Sequence, residues 1–389
     1  QHSGFVPGFA AVSTGSALGV PLSIRGVTST AFSPAVEPAV PVYVDGVYQG
    51  SDALAPASIF AVDRITVLRG PQVTRAGRGG FAGAVIVETR LPEPEKHFAV
   101  EIRGGQHGSL KAEIYANSGS PDSPVQANVA LMAERHDGYG RNTFTGKPVD
   151  DMRQYGVRTH VRLAASDTFS VLLSGERHER NDRSGALDIG AVTAAPSGVP
   201  GANVLLFLPS LSLDGRDRTI AHSVMPSSKA VSSQVSLRMD WDLPGARFAA
   251  LSSFRTSRYQ AHTDQDGTPL DLQEYQVTQH YRAYTQELSL RSRGDDQVQW
   301  SGALSHTHQI TDSTSIIQSS AALADLLSRL SSIPYVSAGQ DTISPRGRIL
   351  LDRWAVDAAL AARLTRAVEL RASARLARER RTLEASQSS

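Results

Sequence analysis

The sequence predicts a mainly β protein, in which a small α+β domain leads into roughly eleven antiparallel transmembrane β-barrel strands. Three observations predict it. After Lys96, long segments alternate apolar and polar residues at strict period two. Those segments reach the roughly 9–11 residues a membrane strand needs, beyond the ~5–6 usual in soluble sheets. Their connections are short at one end and long at the other, which is the rim asymmetry of a membrane barrel.

The first ninety residues have a different texture, rich in Gly, Pro and short apolar runs. Strands are expected at Leu22 to Gly26, Val40 to Asp45, Arg64 to Arg69 and Ala84 to Thr89, with a short helix around Ser51 to Phe60. The segment "DRITVLRGPQ" ends abruptly because Gly70 admits a backbone angle that other residues resist and Pro71 donates nothing to a ladder. Such short, interrupted elements suit a small α+β domain. A boundary falls at Leu91-Pro92-Glu93-Pro94, giving domains 1–94 and 95–389.

Beyond it, long strands are expected near 97–105, 109–118, 124–136, 152–165, 168–179, 231–242, 246–260, 278–292, 298–310, 350–364 and 367–381. In "YGVRTHVRL", Val157 and Val161 oppose Arg158 and Arg162. Elsewhere Leu237, Trp241, Leu288, Leu370 and Leu376 oppose Arg238, Glu287 and Arg371. The first set is expected to face lipid and the second a lumen. A soluble antiparallel sheet with one wet face also alternates; strand length and rim asymmetry favour the membrane. The last segment could also form a basic amphipathic helix, since Ala, Leu and Arg favour helices, but its period is two. Irregular stretches span 182–229 and 311–346, the latter with a possible short helix near Ala321 to Leu330.

Composition narrows the function. Of 389 residues, 40% are hydrophobic and 20% charged, which argues against wholesale disorder. A net charge of +1 argues against nucleic acid as a partner. With no cysteine, no disulfide or thiolate site can form. No apolar run approaches the ~20 residues of a spanning helix. "GRNTFTGK" at 140–147 has the wrong spacing for a phosphate loop, and Pro148 stands where the metal-binding hydroxyl would be. His306 and His308 share a strand face without a third ligand at useful spacing, so no metal site is expected. Nothing resembles a nucleophile elbow, and neither catalysis nor a cofactor is expected.

Four fragments occur in a fixed order: "LSIRGV" (22–27), "PVYVDGVYQG" (41–50), "VDRITVLRGPQ" (62–72) and "GRGGFAGAVIVETR" (77–90). This series resembles the plug domain of TonB-dependent outer-membrane receptors. "YTQELSLRS" (284–292) and the closing "WAVDAALAARLTRAVELRASARL" are similar to that family's barrel strands. One departure is Val73 to Gly79, where the family's Gly-Thr-Leu-Tyr-Gly-Arg-Asn is replaced and an Arg gained.

The resemblance implies a plug at 1–94 and a barrel at 95–389, in the bacterial outer membrane among its lipids. Plugged transporters of this kind have 22 strands, and an odd count does not close a bacterial barrel. The chain is therefore expected to be a fragment or truncated product, N-terminally incomplete in the plug and C-terminally incomplete in the barrel. The implied function is energised uptake of a scarce nutrient, such as an iron-siderophore, vitamin or oligosaccharide. A TonB-type energy-coupling protein would be the partner. Ligand contacts are expected from Thr28, Ser29, Thr30 and Phe32, from Tyr48, Gln49, Ser51 and Asp52, and from the outer loops. Plug cations Arg25 and Arg69 are expected to meet wall carboxylates, for example Glu287 or Glu369. The alternatives are a passive or structural barrel, which predicts no plug-like segment, and a soluble all-β surface or carbohydrate-binding protein, which predicts short strands with a wet polar face.

Overall fold

A computed structural model of the chain describes residues 6–11, 21–29, 36–50, 59–71, 80–184, 217–293, 297–323, 341–365 and 368–388. The N-terminal part holds six strands: β1 Phe9–Ala11, β2 Leu22–Ile24, β3 Val42–Val44, β4 Val47–Tyr48, β5 Val62–Arg69 and β6 Gly83–Thr89. Strand β1 pairs with β2, and the others form a sheet of order β4-β3-β6-β5. The parallel β3–β6 pair lies beside the antiparallel β5–β6 pair, a mixed sheet. Ile24, Val40, Val42, Val44, Val85 and Val87 form its core. Full burial of each contributes roughly 1.5–3 kcal/mol.

Two fragments expected to be plain strands are hairpins. Arg25 and Gly26 both have positive φ (53° and 80°), as do Asp45 and Gly46 (51° and 84°). This is the two-residue turn whose twist matches paired strands. The strand expected over Leu22 to Gly26 thus ends at Ile24, and that expected over Val40 to Asp45 covers Val42–Val44. Most of the helix expected at Ser51 to Phe60 and the whole Val73 to Gly79 loop lie outside the described residues.

The second part is one antiparallel sheet. Its strands are β7 Lys96–Gly104, β8 Leu110–Ser118, β9 Val125–His136, β12 Met152–Ala164, β13 Phe169–Asp182, β15 Ser227–Leu243, β16 Ala246–Asp264, β17 Gln273–Ser292, β18 Val298–Ser319, β19 Asp341–Arg363 and β20 Glu369–Ser388. Eleven strands run in sequence order from β7 to β20. Between them β10 (Gly140–Asn142), β11 (Pro148–Val149) and β14 (Thr219–Ile220) make a small sheet at the long-loop rim. Among the described residues no helix is long and apolar enough to cross a membrane.

The register places Val157, Val161, Leu237, Trp241, Leu288, Leu370 and Leu376 on one face. Arg158, Arg162, Arg238, Glu287 and Arg371 fall on the other. The first face stays apolar and exposed along its length, with Leu131, Leu173, Val235, Leu304 and Val356 uncovered. Water would not tolerate so continuous a patch, so lipid covers it. Aromatic residues mark the short-turn border, where Phe169 and Trp241 meet edge to face at 6.2 Å. The closing segment is strand, not helix.

Several strands outrun their expected ends. β18 continues to Ser319 and β19 begins at Asp341, so much of the stretch 311–346 is ladder rather than loop. Likewise β13, β15, β16, β17 and β20 extend beyond their expected outer ends. Above the lipid both faces meet water, so apolar alternation stops while backbone pairing continues. Of the helix expected at Ala321 to Leu330, a single turn at 321–323 is helical and the remainder lies outside the described residues.

Candidate functional site

The site is the seat between plug and lumen wall. Plug segments leave their sheet at Gln49, Phe60, Arg90 and Glu93. There the ladder no longer pairs the backbone, and a buried carbonyl needs a donor. The wall supplies one at each place.

Arg158 of β12 donates from Nη1 to the Phe60 carbonyl, and its guanidinium lies 4.4 Å above the Phe60 ring centre. It is itself held by Glu176 of β13 at 2.7 Å, with both side chains more than nine-tenths buried. Phe60 then packs with Tyr115, Ala130 and Met132 of the wall. Gly156 makes room for it, since a Cβ there would sit 2.7 Å from the Phe60 ring.

Three strands along from β12, Arg255 of β16 donates to the Gln49 carbonyl (3.2 Å) and to Gln234 Oε1 (3.4 Å). The Gln49 amide also donates to Gln234 Oε1, at 3.1 Å. Arg158, Glu176, Gln234 and Arg255 are successive partners across β12, β13, β15 and β16. They form one clamp at one height. On the far strand, at the same level in the register, Arg381 of β20 reaches Glu37 of the plug at 2.9 Å.

A second level lies one pair lower. The Asp45 carboxylate accepts from the Thr89 amide (2.9 Å) and hydroxyl (2.7 Å). Thr89 Oγ1 is 3.1 Å from His160 Nε2, and His160 Nδ1 is 2.8 Å from Ser174 Oγ. Near the linker, Asn128 donates to the Arg90 carbonyl (2.7 Å), and Asn117 donates to the Glu93 carbonyl (2.8 Å).

The expected plug residues divide as follows. Arg25 is exposed in its turn, and Arg69 is exposed at the tip of β5. Among the described residues no ion pair joins either to Glu287 or Glu369; Glu369 instead pairs with Arg371 at 2.8 Å. The reason is the carbonyl geometry above: the wall presents cations and amides to plug backbone rather than carboxylates to plug cations. Thr28 donates its hydroxyl to the Leu22 carbonyl. The Ser29 hydroxyl bridges the Glu37 carbonyl and the Ala39 amide. Both are engaged within the plug. Tyr48 is half-buried beside Tyr43, with ring centres 5.6 Å apart. Gln49, expected in an exposed turn, is buried against Gln234. Thr30, Phe32, Ser51 and Asp52 lie outside the described residues. Sequence reasoning missed Arg158, His160, Gln234 and Arg255. Their one signal was a bulky polar side chain on the lumen face of a strand.

At the long-loop rim, a cavity of about 530 Å³ lies on the outward face of the wall, among the side chains of Arg153, Asn181, Lys229, Gln260, His262 and Gln276. Its polar groups are largely paired: Lys229 lies 2.9 Å from Glu179, His262 lies 2.8 Å from Glu274, and Arg183 lies 3.5 Å from Asp151. Among the described residues no group of His, Asp and Glu is arranged to hold a metal.

A plug seated on the inner face of an antiparallel membrane wall defines a class, the plugged outer-membrane barrels. Residues 3–84 match the TonB-dependent receptor plug domain. That match covers the plug alone; the wall beyond it shares the fold of the solved receptors named below. It is 29% identical over 167 residues to the pesticin receptor of Yersinia pestis, a match covering 42% of this chain and 24% of that protein. It is 30% identical over 145 residues to a vitamin B12 transporter of Vibrio vulnificus, covering 34% and 23%. The ferric yersiniabactin uptake receptor of Yersinia pestis superposes with a TM-score of 0.77 at 17% identity, over 98% of this chain and 57% of that one. The unliganded ferric citrate transporter does so at 0.60 and 13%, over 98% and 55%. The chain thus matches about a quarter of the curated relatives' length.

Proposed function

We propose that the chain is the plug and part of the barrel of a receptor that takes up a scarce nutrient by energised transport, with an iron-siderophore complex as the favoured ligand. The observation that carries this is the seated plug. A passive pore has no use for a domain held in its lumen by buried arginines, whereas gated uptake does. Release of that clamp requires work, which a TonB-type protein on the periplasmic side would supply.

The favoured ligand follows from the relatives, whose names include a ferric yersiniabactin receptor, ferric-catecholate receptors and a ferric citrate transporter. A vitamin B12 transporter keeps a vitamin in view. The domain reading is part of the proposal. The wall has two edges, β7 and β20, and unpaired backbone in lipid costs several kcal/mol per group, so further strands complete the barrel.

The test is uptake of radioiron bound to yersiniabactin, a catecholate or citrate, and of labelled cobalamin. Cells would lack their own receptors and express the protein that carries this chain. Energy-dependent accumulation of one iron complex is expected. Accumulation that survives collapse of the inner-membrane proton gradient would support the passive-pore reading instead.

A further inference from the structure

We propose that Met225 is a modification site for hydrogen peroxide, and that its sulfoxide unfastens one side of a hydrogen-bonded cap of loops on the long-loop rim. This goes beyond the transport reading and does not rest on which nutrient is carried.

The cap joins segments far apart in sequence. The β10–β11 hairpin lies beside β14, where Arg141 pairs with Thr219 and Asn142 with Ile220. The Thr143 hydroxyl adds a bond to the Ile220 carbonyl at 3.0 Å. On its other side the chain after β14 is tied to the turn that follows β16. Asp264 is 1% exposed. One of its oxygens accepts from the amides of Ser223 (3.0 Å) and Val224 (3.3 Å). The other accepts from those of Asp266 (3.1 Å) and Gly267 (2.8 Å). Met225 follows directly, just before β15 begins.

The Met225 sulfur fastens this chain to the hairpin. Thr145 donates its hydroxyl to Sδ at 3.1 Å, and Asn142 donates its side-chain amide at 3.5 Å. A thioether is a weak acceptor, and these donors lie over its two lone pairs. The same lone pairs are the nucleophile in oxidation. When one attacks hydrogen peroxide, an S–O bond forms and the O–O bond breaks. The departing hydroxide takes the proton of the transferred oxygen and leaves as water. Sulfur is oxidised by two electrons, and the peroxide is reduced.

The two lone pairs differ in what guards them. Asn142 is fully buried, and its amide also donates to the His222 carbonyl at 2.8 Å. Its Oδ1 accepts from the amides of Phe144 (3.0 Å) and Thr145 (3.3 Å). Thr145 is half-buried in an exposed turn, next to Phe144, which is 58% exposed. That turn yields and Asn142 does not. The oxygen therefore enters on the Thr145 side, where the hydroxyl now sits, and prevents the turn from closing again. One epimer of the sulfoxide forms, and the tie at Asp264 is untouched. Sulfoxide reductases restore the thioether, so the order of this rim responds reversibly to peroxide.

The test treats the purified protein that carries this chain, in detergent, with dilute hydrogen peroxide and maps oxidation by peptide mass spectrometry. Met225 is expected to oxidise, while Met132, buried against Phe60, is not. The two kinds of methionine sulfoxide reductase each take one epimer, so one should repair most of the Met225 sulfoxide and the other little. Chymotrypsin cleavage after Phe144 in the folded protein should rise by about two- to tenfold on oxidation, as the loss of one hydrogen bond implies. Thr145→Val should oxidise at Met225 faster than the parent, because its lone pair is uncovered. Met225→Leu should be cleaved at one rate with or without peroxide. An unreactive Met225, equal amounts of the two epimers, or unchanged cleavage at full oxidation would each overturn the proposal. So would a peroxide effect in Met225→Leu as large as the parent's, since another residue would then carry it.

Discussion

Truncation of Arg158 to alanine is expected to unseat the plug and to destabilise the protein by about 3–5 kcal/mol, the cost of breaking a buried ion pair. Two losses combine there. Glu176, less than a tenth exposed, is left without its partner at 2.7 Å. The Phe60 carbonyl loses its donor and the Phe60 ring loses the cation above it. A double variant, Arg158→Met with Glu176→Leu, separates the two. Apolar replacement of a whole buried pair is often neutral, so wall stability should recover while the plug stays loose. Thermal unfolding in detergent reports the first, and protease cleavage near Phe60 reports the second. If Arg158→Ala resists protease as the parent does, the clamp assigned here does not hold the plug.

The second large effect is steric. Gly156→Ala should cost about 1–3 kcal/mol through overpacking, because its Cβ would lie 2.7 Å from the Phe60 ring. That ring cannot simply swing away, since Arg158 covers it and Tyr115, Ala130 and Met132 surround it. Phe60→Leu removes the obstacle. The double variant should therefore be more stable than the sum of the two single changes predicts, by a coupling of ~0.5–3 kcal/mol. Unfolding midpoints of the four proteins measure this. Simple additivity would show that Phe60 does not rest on Gly156.

The architecture was legible because a membrane wall obeys one rule along its whole length. Val157 and Arg158 differ in face because successive side chains of a strand point to opposite sides, and lipid makes that difference visible in composition. Where the rule lapses, so did the reading. The Thr-, Ser- and Gln-rich end of β18 has water on both faces, and nothing in "ITDSTSIIQS" separates ladder from loop. The plug fragments were legible as a series, yet Arg25 and Asp45 were read as strand although each is followed by a Gly that permits a positive-φ turn.

The seat was the least legible part. A search for complementary charges looked to Arg69 and a wall carboxylate, but the one plug–wall ion pair among the described residues joins Glu37 to Arg381, and the buried cations Arg158 and Arg255 bind backbone carbonyls. Which carbonyl lacks a partner depends on where each plug strand stops, at Phe60 or at Arg90, and no residue type announces that. Gln49 illustrates the limit: a polar residue after a hairpin reads as an exposed ligand group, whereas Gln234 and Arg255 enclose it.

The central claim is that the plug is held on this wall and must leave it for transport. The chain has no cysteine, so Gln49→Cys with Gln234→Cys introduces the only thiols of these 389 residues. A short, cleavable thiol cross-linker applied to the receptor in cells should join plug to wall. The account predicts that cross-linking abolishes energised uptake of the iron complex while leaving its binding at the cell surface intact, and that cleaving the linker restores uptake. Uptake at the parental rate with the two residues demonstrably joined would contradict it.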